Sequence, residues 1–204
     1  MNPFVQGLVL GFSIAVPVGP IGVLCIRRSV AEGALVGFCC GLGAATADAI
    51  YGAIGAAGLT AVSDALVRQE FWLRLLGGAF LVYLGLTTWR SRPADQAAEN
   101  KAASLTGAFG TTLLLTLSNP LTIVSFIGLF TGVGFGAGAT TWTAATALVA
   151  GVFAGSAAWW LVLSTGSRRL GARLGPVQLQ WLNRFAGLVI CGFGFWNLSK
   201  LAFR

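Results

Sequence analysis

The chain has 204 residues, of which 56% are hydrophobic and 9% are charged, and its mean hydropathy is +0.81. Charged residues usually make up about 25% of a soluble domain, so this composition excludes a soluble globular protein, and its apolarity excludes disorder. The net charge of +7 comes from basic residues in the gaps between apolar runs, so no nucleic-acid partner is predicted. The composition predicts an all-α protein whose surroundings are a lipid bilayer.

The residue inventory also limits the chemistry. The chain has no histidine, so the usual general base and the commonest metal ligand are missing. Its six carboxylates are too few for a carboxylate-rich metal cage, and its four cysteines include no C-x-x-C pair. We therefore predict that it is not an enzyme and that it has no catalytic residue, no cofactor and no metal site.

Six apolar runs are each long enough for a membrane span, which needs about 20 residues. They cover residues 4–26, 34–62, 71–89, 105–133, 142–165 and 185–203, and a polar linker over 90–104 separates the third from the fourth. The prediction is a single transmembrane domain over 1–204, with halves of about 1–95 and 104–204. No basic segment precedes the first run, so we expect it to be kept as a span rather than removed as a signal peptide.

Basic residues in the loops predict the orientation. Nine of the thirteen lie in the first, third and fifth loops, and four lie on the other side. The positive-inside rule places those three loops in the cytoplasm and both termini outside. Because each half has three spans, the halves insert with opposite orientation, which predicts a 3+3 inverted repeat.

Prolines interrupt corresponding spans of the two halves. The first span contains Pro17, Gly19 and Pro20, and the fourth contains Asn119 and Pro120. A proline inside a helix removes one backbone hydrogen bond, so helices 1 and 4 are expected to be broken. Matched breaks near the midplane are the best sequence indication of a binding site. Two merely structural kinks are the alternative.

Asp48 lies near the centre of the second span, where a charged group costs about 2.5 kcal/mol or more. Its neighbours at helical spacing, among them Gly41, Ala44 and Gly52, are small, whereas Leu42 and Ile50 lie on the opposite side. Asp48 is therefore predicted to point into the helix bundle. It is a functional candidate, with a structural, hydrogen-bonded acid as the alternative.

Four other residues are left with two interpretations each. Arg27 and Arg28 end the first span and are interpreted as cytoplasmic anchors, with a gate or substrate-attracting charge as the alternative. Trp159 and Trp160 lie well inside the fifth span. They could face lipid or form a cavity wall.

The run from Pro17 to Ile21, then Arg27, Arg28, the glycines between 33 and 43, and Asp48 resembles the N-terminal signature of the LysE/RhtB family. That resemblance implies a bacterial inner-membrane exporter of amino acids or similar zwitterions, driven by proton antiport. Val18 separates Pro17 from Gly19 where many members have Pro-Gly-Pro, so no individual substrate is carried over.

The implied site combines a helix terminus with an acid. Backbone N–H groups of the half-helix beginning near Gly19 would hold the substrate carboxylate, and Asp48 would hold its ammonium in competition with a proton. The complete set of candidate residues is Ser13, Pro17, Gly19, Pro20, Asp48, Tyr51, Thr116, Ser118, Asn119 and Pro120. The expected partners are the substrate, protons and the bilayer, and a homodimer is left open.

Three alternatives remain at this point. A metal-ion exporter is a related class, but the sequence lacks histidine and a second intramembrane carboxylate. A thiol-redox carrier would need paired cysteines beside the prolines. A non-transporting assembly or scaffold protein would need neither an inward-facing acid nor matched breaks.

Overall fold

The computed structural model describes residues 2–17, 19–56, 69–91, 105–119, 122, 125–126 and 141–202, and within these ranges the secondary structure is helical. Seven helices occur there in chain order: α1 Pro3–Ala15, α2 Pro20–Ala31, α3 Ala34–Ala56, α4 Glu70–Arg90, α5 Leu105–Leu117, α6 Trp142–Gly171 and α7 Pro176–Ala202. The all-helical class predicted from composition is confirmed for the described part of the chain.

The first predicted span is two helices. The Asn2 side chain caps α1 by accepting a hydrogen bond of 2.9 Å from the backbone N–H of Phe4. Helix α2 starts at Pro20, where the missing N–H of proline costs nothing because the first residue of a helix has no intrahelical acceptor for it. The axes of α1 and α2 differ by 83°. The predicted break in the first span is therefore present and falls between Ala15 and Pro20.

A two-residue turn joins α2 to α3. Gly33 has a φ of +109°, a backbone conformation that side-chain-bearing residues rarely adopt, and its neighbour Glu32 closes α2. This tight connection holds α2 and α3 as adjacent helices, so the residues that follow the break stay close to the face that carries Asp48.

Three helices, α3, α6 and most of α4, are long and apolar enough to cross a membrane alone, and α1 with α2 meets the same criterion as one bent span. Large apolar side chains such as Leu35 and Leu76 are exposed on their outer faces, as expected for lipid contact. The structure thus has the composition and helix lengths of a multi-pass membrane protein.

Two helices extend beyond the predicted apolar runs. The helix assigned to the sixth span begins at Pro176 rather than near Phe185, and α6 continues past Thr165 to Gly171. Pro176 is favourable in the first turn of a helix, and the polar residues Gln180 and Asn183, which precede the sixth apolar run, lie within α7. Residues beyond Ala56 in the second span lie outside the described residues.

Glycines set the closest helix contacts. A Cβ added at Gly155 of α6 would lie against the Leu8 carbonyl of α1, and one added at Gly43 of α3 would lie against the Phe109 carbonyl of α5. Helix α6 also packs against α3, and α4 packs against α7. Small residues allow this backbone approach, which supplies the van der Waals contact that joins helices in lipid.

Candidate functional site

A cavity of about 240 Å³ lies at the break between α1 and α2. Its wall includes Pro17, Gly19 and Pro20 from the break and Asp48 from α3. The other described lining residues are Ile14, Ala15, Ile21, Gly22, Ala44, Thr116, Asn119, Thr122, Ser125, Trp160, Phe193, Trp196 and Asn197. Residues from both halves of the chain therefore surround one space.

Asp48 is 4% exposed and accepts a hydrogen bond of 2.7 Å from the Ser156 hydroxyl of α6. That hydroxyl in turn accepts one of 3.1 Å from Nε1 of Trp160. In the part of the chain that the structure describes, no basic side chain forms an ion pair with Asp48. The cavity therefore contains a buried acid that a hydroxyl holds in place, and the described residues supply no cation to neutralise it.

The small face of α3 makes this geometry possible. Gly41 lies against Cβ and Cγ of Trp160, and Gly52 lies against Val152. A larger residue at Gly41 would push α6 away, because its Cβ would overlap the Trp160 side chain. The approach of the two helices brings Ser156 within hydrogen-bond distance of Asp48, so the prediction that Asp48 faces the bundle is confirmed.

The N-terminus of α2 opens onto the same cavity. Gly19 is the residue before the helix and provides no side-chain cap, and Pro20, Ile21 and Gly22 line the cavity. The first amides of a helix have no partner within the helix and carry the positive end of its dipole. This end of α2 can therefore receive an anionic group.

The C-terminal end of α5 is stabilised by neighbouring groups. The Tyr51 hydroxyl donates a hydrogen bond of 2.7 Å to the Leu117 carbonyl, and the Asn119 amide donates one of 3.1 Å to the Thr116 carbonyl. Pro120 cannot donate to the Thr116 carbonyl four residues back, and the backbone N–H of Asn119 bonds to that carbonyl instead. Tyr51 supports the end of α5 and is not among the described residues that line the cavity.

The remaining candidates divide into three groups. Thr116 and Asn119 line the cavity. Ser118 lines a smaller adjoining space instead, and Ser13 lies on the exposed side of α1, away from the cavity lining. The helical period explains this, because Gly7, Gly11 and Ala15 form the buried stripe of α1. Pro120 lies outside the described residues.

The arginines are more deeply placed than membrane anchors would be. Arg27 is 8% exposed; its Nε donates a hydrogen bond of 3.2 Å to Oδ1 of Asn183, and its Nη1 lies 3.7 Å from Oε1 of Glu32. Arg28 donates through Nη1 to the sulfur of Cys40 at 3.4 Å. These contacts join α2 to α7 and α3, so both side chains stabilise helix packing.

The two tryptophans have different environments. Trp160 is 5% exposed and forms part of the cavity wall. Trp159 packs edge-on against Phe12 of α1, with ring centroids 5.6 Å apart. The cavity-wall interpretation therefore holds for Trp160 and not for Trp159.

Several polar site residues were not predicted from the sequence, and Ser156 and Asn197 are the most deeply buried examples. Ser156 is fully buried, and Asn197, which is 6% exposed, lines the cavity from α7. The sequence feature that could have identified Ser156 and Asn197 as site residues is a polar side chain inside an apolar segment. Serine is common in membrane helices and Asn197 lies near the chain end, so that signal alone was weak.

Comparison with known proteins identifies the family. The family model described as LysE type translocator matches residues 12–200. The chain is 28% identical over 201 residues to a Bacillus subtilis protein named "Putative amino acid efflux protein YcgF", covering 96% of this chain and 95% of that one. The match therefore extends over both halves.

Two further relatives are matched over shorter stretches. The Pseudomonas aeruginosa "Uncharacterized membrane protein PA4757" is 32% identical, over 62% of this chain and 60% of that one. The Escherichia coli "Uncharacterized membrane protein YahN" is 30% identical, over 68% and 63%. No solved structure matches the chain. With its broken first span, its buried acid and a family match over nearly its whole length, the chain belongs to the LysE type translocators and is a membrane exporter rather than an enzyme.

Proposed function

We propose that this protein exports amino acids or similar small zwitterions across the bacterial inner membrane in exchange for protons. One observation carries the proposal: a buried carboxylate, Asp48, shares a cavity with the N-terminus of α2. An amino acid presents an ammonium and a carboxylate, and these two features of the cavity have the opposite charges. The name of the Bacillus subtilis relative supports the same substrate class.

Binding uses both ends of the substrate. The ammonium approaches the Asp48 carboxylate, which Ser156 keeps oriented through its hydrogen bond. The carboxylate approaches the first amides of α2 beside Gly19, where the helix dipole favours an anion. The breaks provide this site in lipid because irregular backbone is tolerated there only when it is buried in protein or lines a cavity.

Proton coupling follows from competition at Asp48. On the outer side a proton binds the carboxylate, removes its charge and weakens its hold on the ammonium, so the substrate leaves. On the inner side the proton dissociates and the charged carboxylate can bind a new substrate. Each cycle then carries substrate outward and a proton inward, which is the minimum required for antiport.

The charges around the cavity favour a substrate with an uncharged side chain. Among the described lining residues Asp48 alone is ionisable. A lysine or glutamate side chain would enter without a counter-charge, and burying an uncompensated charge is costly. Trp160 and Phe193 offer apolar surface instead.

An inverted repeat over the six predicted spans is part of the proposal, and the helix contacts support it. If the two halves are interchanged, α1 corresponds to α5 and α6 corresponds to α3, so the α1–α6 pair corresponds to the α5–α3 pair. The closest glycine contacts of the two pairs also correspond. Gly155 of α6 lies against the Leu8 carbonyl of α1, and Gly43 of α3 lies against the Phe109 carbonyl of α5. Within the α4–α7 pair, Gly78 meets the Gly194 carbonyl and Gly187 meets the Gly85 carbonyl. Interchanging the two halves converts the first of these contacts into the second.

We expect both termini outside the cytoplasm, as the loop charges predict. Reporter fusions at Arg92 and after Arg204 test this topology. A signal from the Arg92 fusion only in the cytoplasm and from the C-terminal fusion only outside is the expected result, whereas a cytoplasmic C-terminal fusion would contradict the six-span arrangement. A homodimer stays a prediction.

Purified protein in proteoliposomes tests the function directly. We expect uphill movement of labelled neutral amino acids when a pH gradient is imposed, and none when the gradient is collapsed by an ionophore. Divalent metal ions form a second arm, because their transport in place of amino acids would favour the metal exporter. Transport of neither class would favour an assembly or scaffold protein.

A further inference from the structure

Asn197 is a buried amide on α7 that borders the cavity. It is 6% exposed, and within the described part of the chain its side chain has no hydrogen-bond partner. Buried amides are nearly always hydrogen-bonded, because leaving their donors and acceptors unsatisfied is unfavourable. An amide that lines a cavity without a protein partner is therefore placed to bind what enters the cavity.

The surroundings of Asn197 indicate which part of the substrate it meets. Asn197 also lines the small space that adjoins the cavity, together with Pro20 and Ile21 at the start of α2 and Asn119 at the second break. The carboxylate-binding end of α2 is thus beside Asn197. An amide N–H₂ group offers two donors, which suit a carboxylate.

We propose that Asn197 donates a hydrogen bond from Nδ2 to the substrate carboxylate and so selects molecules with a free α-carboxylate. This inference rests on the proposed function, since it assumes that the cavity binds a zwitterion. It assigns a third helix to the site: Asp48 of α3 binds the ammonium, while α2 and Asn197 of α7 bind the carboxylate. Amines without a carboxylate would then be poor substrates.

A comparison of an amino acid with its own amide tests the assignment. Leucine and leucinamide have the same ammonium and side chain, but the amide lacks the carboxylate; methionine and phenylalanine with their amides serve as further pairs. Each compound competes against exchange of the labelled amino acid in proteoliposomes. For the wild type we expect the amino acid to compete at least about tenfold better, in line with hydrogen bonds to a charged group.

Two variants separate recognition from packing. Asn197→Ala should weaken competition by the amino acid about tenfold while leaving the amide nearly unchanged. Asn197→Asp keeps the size but repels a carboxylate, so it should reverse the preference toward the cationic amide. Ser199→Ala, on the exposed side of α7, is the control and should retain the wild-type preference.

The outcomes distinguish the two proposals. Equal weakening of amino acid and amide in Asn197→Ala, or an unchanged preference in both Asn197 variants, would overturn the role of Asn197 and leave amino-acid export intact. If the wild type exchanges none of the amino acids, the proposed function fails, and the assignment of Asn197 fails with it. A reversed preference in Asn197→Asp cannot arise from misfolding.

Discussion

The Ser156 hydroxyl lies 2.7 Å from Oδ2 of Asp48, although 108 residues separate them in the chain. The bond connects α3 of the first half to α6 of the second, and it fixes one carboxylate oxygen. Because Asp48 also lines the cavity, the contact orients the group proposed to alternate between proton and substrate. Asp48 is therefore held by the half of the chain that does not contain it.

Asp48→Asn should abolish proton-driven uphill export while the protein still inserts and folds. The amide keeps the size and can still bond to Ser156, but it cannot ionise, and removing a charge from the membrane interior does not oppose insertion. Uphill transport in proteoliposomes is measured beside expression level and thermal stability in detergent. Wild-type uphill export by well-folded Asp48→Asn would remove Asp48 from the mechanism.

Ser156→Ala should lower transport several-fold by releasing the Asp48 carboxylate from its fixed position. Hydrogen bonds to charged groups contribute about 1.5–3 kcal/mol, so some loss of stability should accompany it. Ser164→Ala is the matched control, since Ser164 is also buried on α6 but bonds to the Leu161 carbonyl of its own helix. Equal transport by the two variants would contradict a positioning role for Ser156.

Gly41→Leu should reduce the thermal stability in detergent more than Leu42→Ala. The added side chain would collide with Trp160, and overpacking of a tight contact costs about 1–3 kcal/mol. Leu42 is only half-buried on the other side of α3, so its truncation removes fewer contacts. Similar losses for the two variants would mean that α3 does not present its small face to α6.

Asn183→Ala should destabilise the protein by about 1.5–3 kcal/mol, because the buried Arg27 guanidinium loses its Nε acceptor. The same change also removes the Asn183 donor to the Ser91 carbonyl at 3.3 Å. Gln178→Ala, exposed near the start of α7, should leave the melting temperature within a degree or two. Unchanged stability of Asn183→Ala would show that Arg27 does not depend on this contact.

Local patterns predicted much of the fold. The prolines at 17 and 20 remove backbone donors wherever they occur in a helix, so the break between α1 and α2 could be predicted without tertiary information. The inward direction of Asp48 followed from the small residues around it, since in lipid those residues mark the face where helices approach. The helix break and the direction of Asp48 each depend only on which residues occur at which positions within one segment.

Contacts between distant segments could not be read in this way. Ser13 and Ala15 are two positions apart, and only the partner of α1 decides that the buried stripe contains Ala15 and leaves Ser13 outside. Likewise, Ser156 and Asn197 resemble many other polar residues in apolar helices until α6 and α7 are packed.

The membrane class, the broken first span and the buried acid could therefore be predicted, because composition, proline geometry and helical periodicity act within one segment. Which groups surround that acid depends on how the helices pack. The hydroxyl of Ser156, the wall formed by Trp160 and the amide of Asn197 reach the cavity through helices that come together only on folding. Their placement depends on close glycine contacts between distant helices, and no single segment of the sequence specifies such pairs.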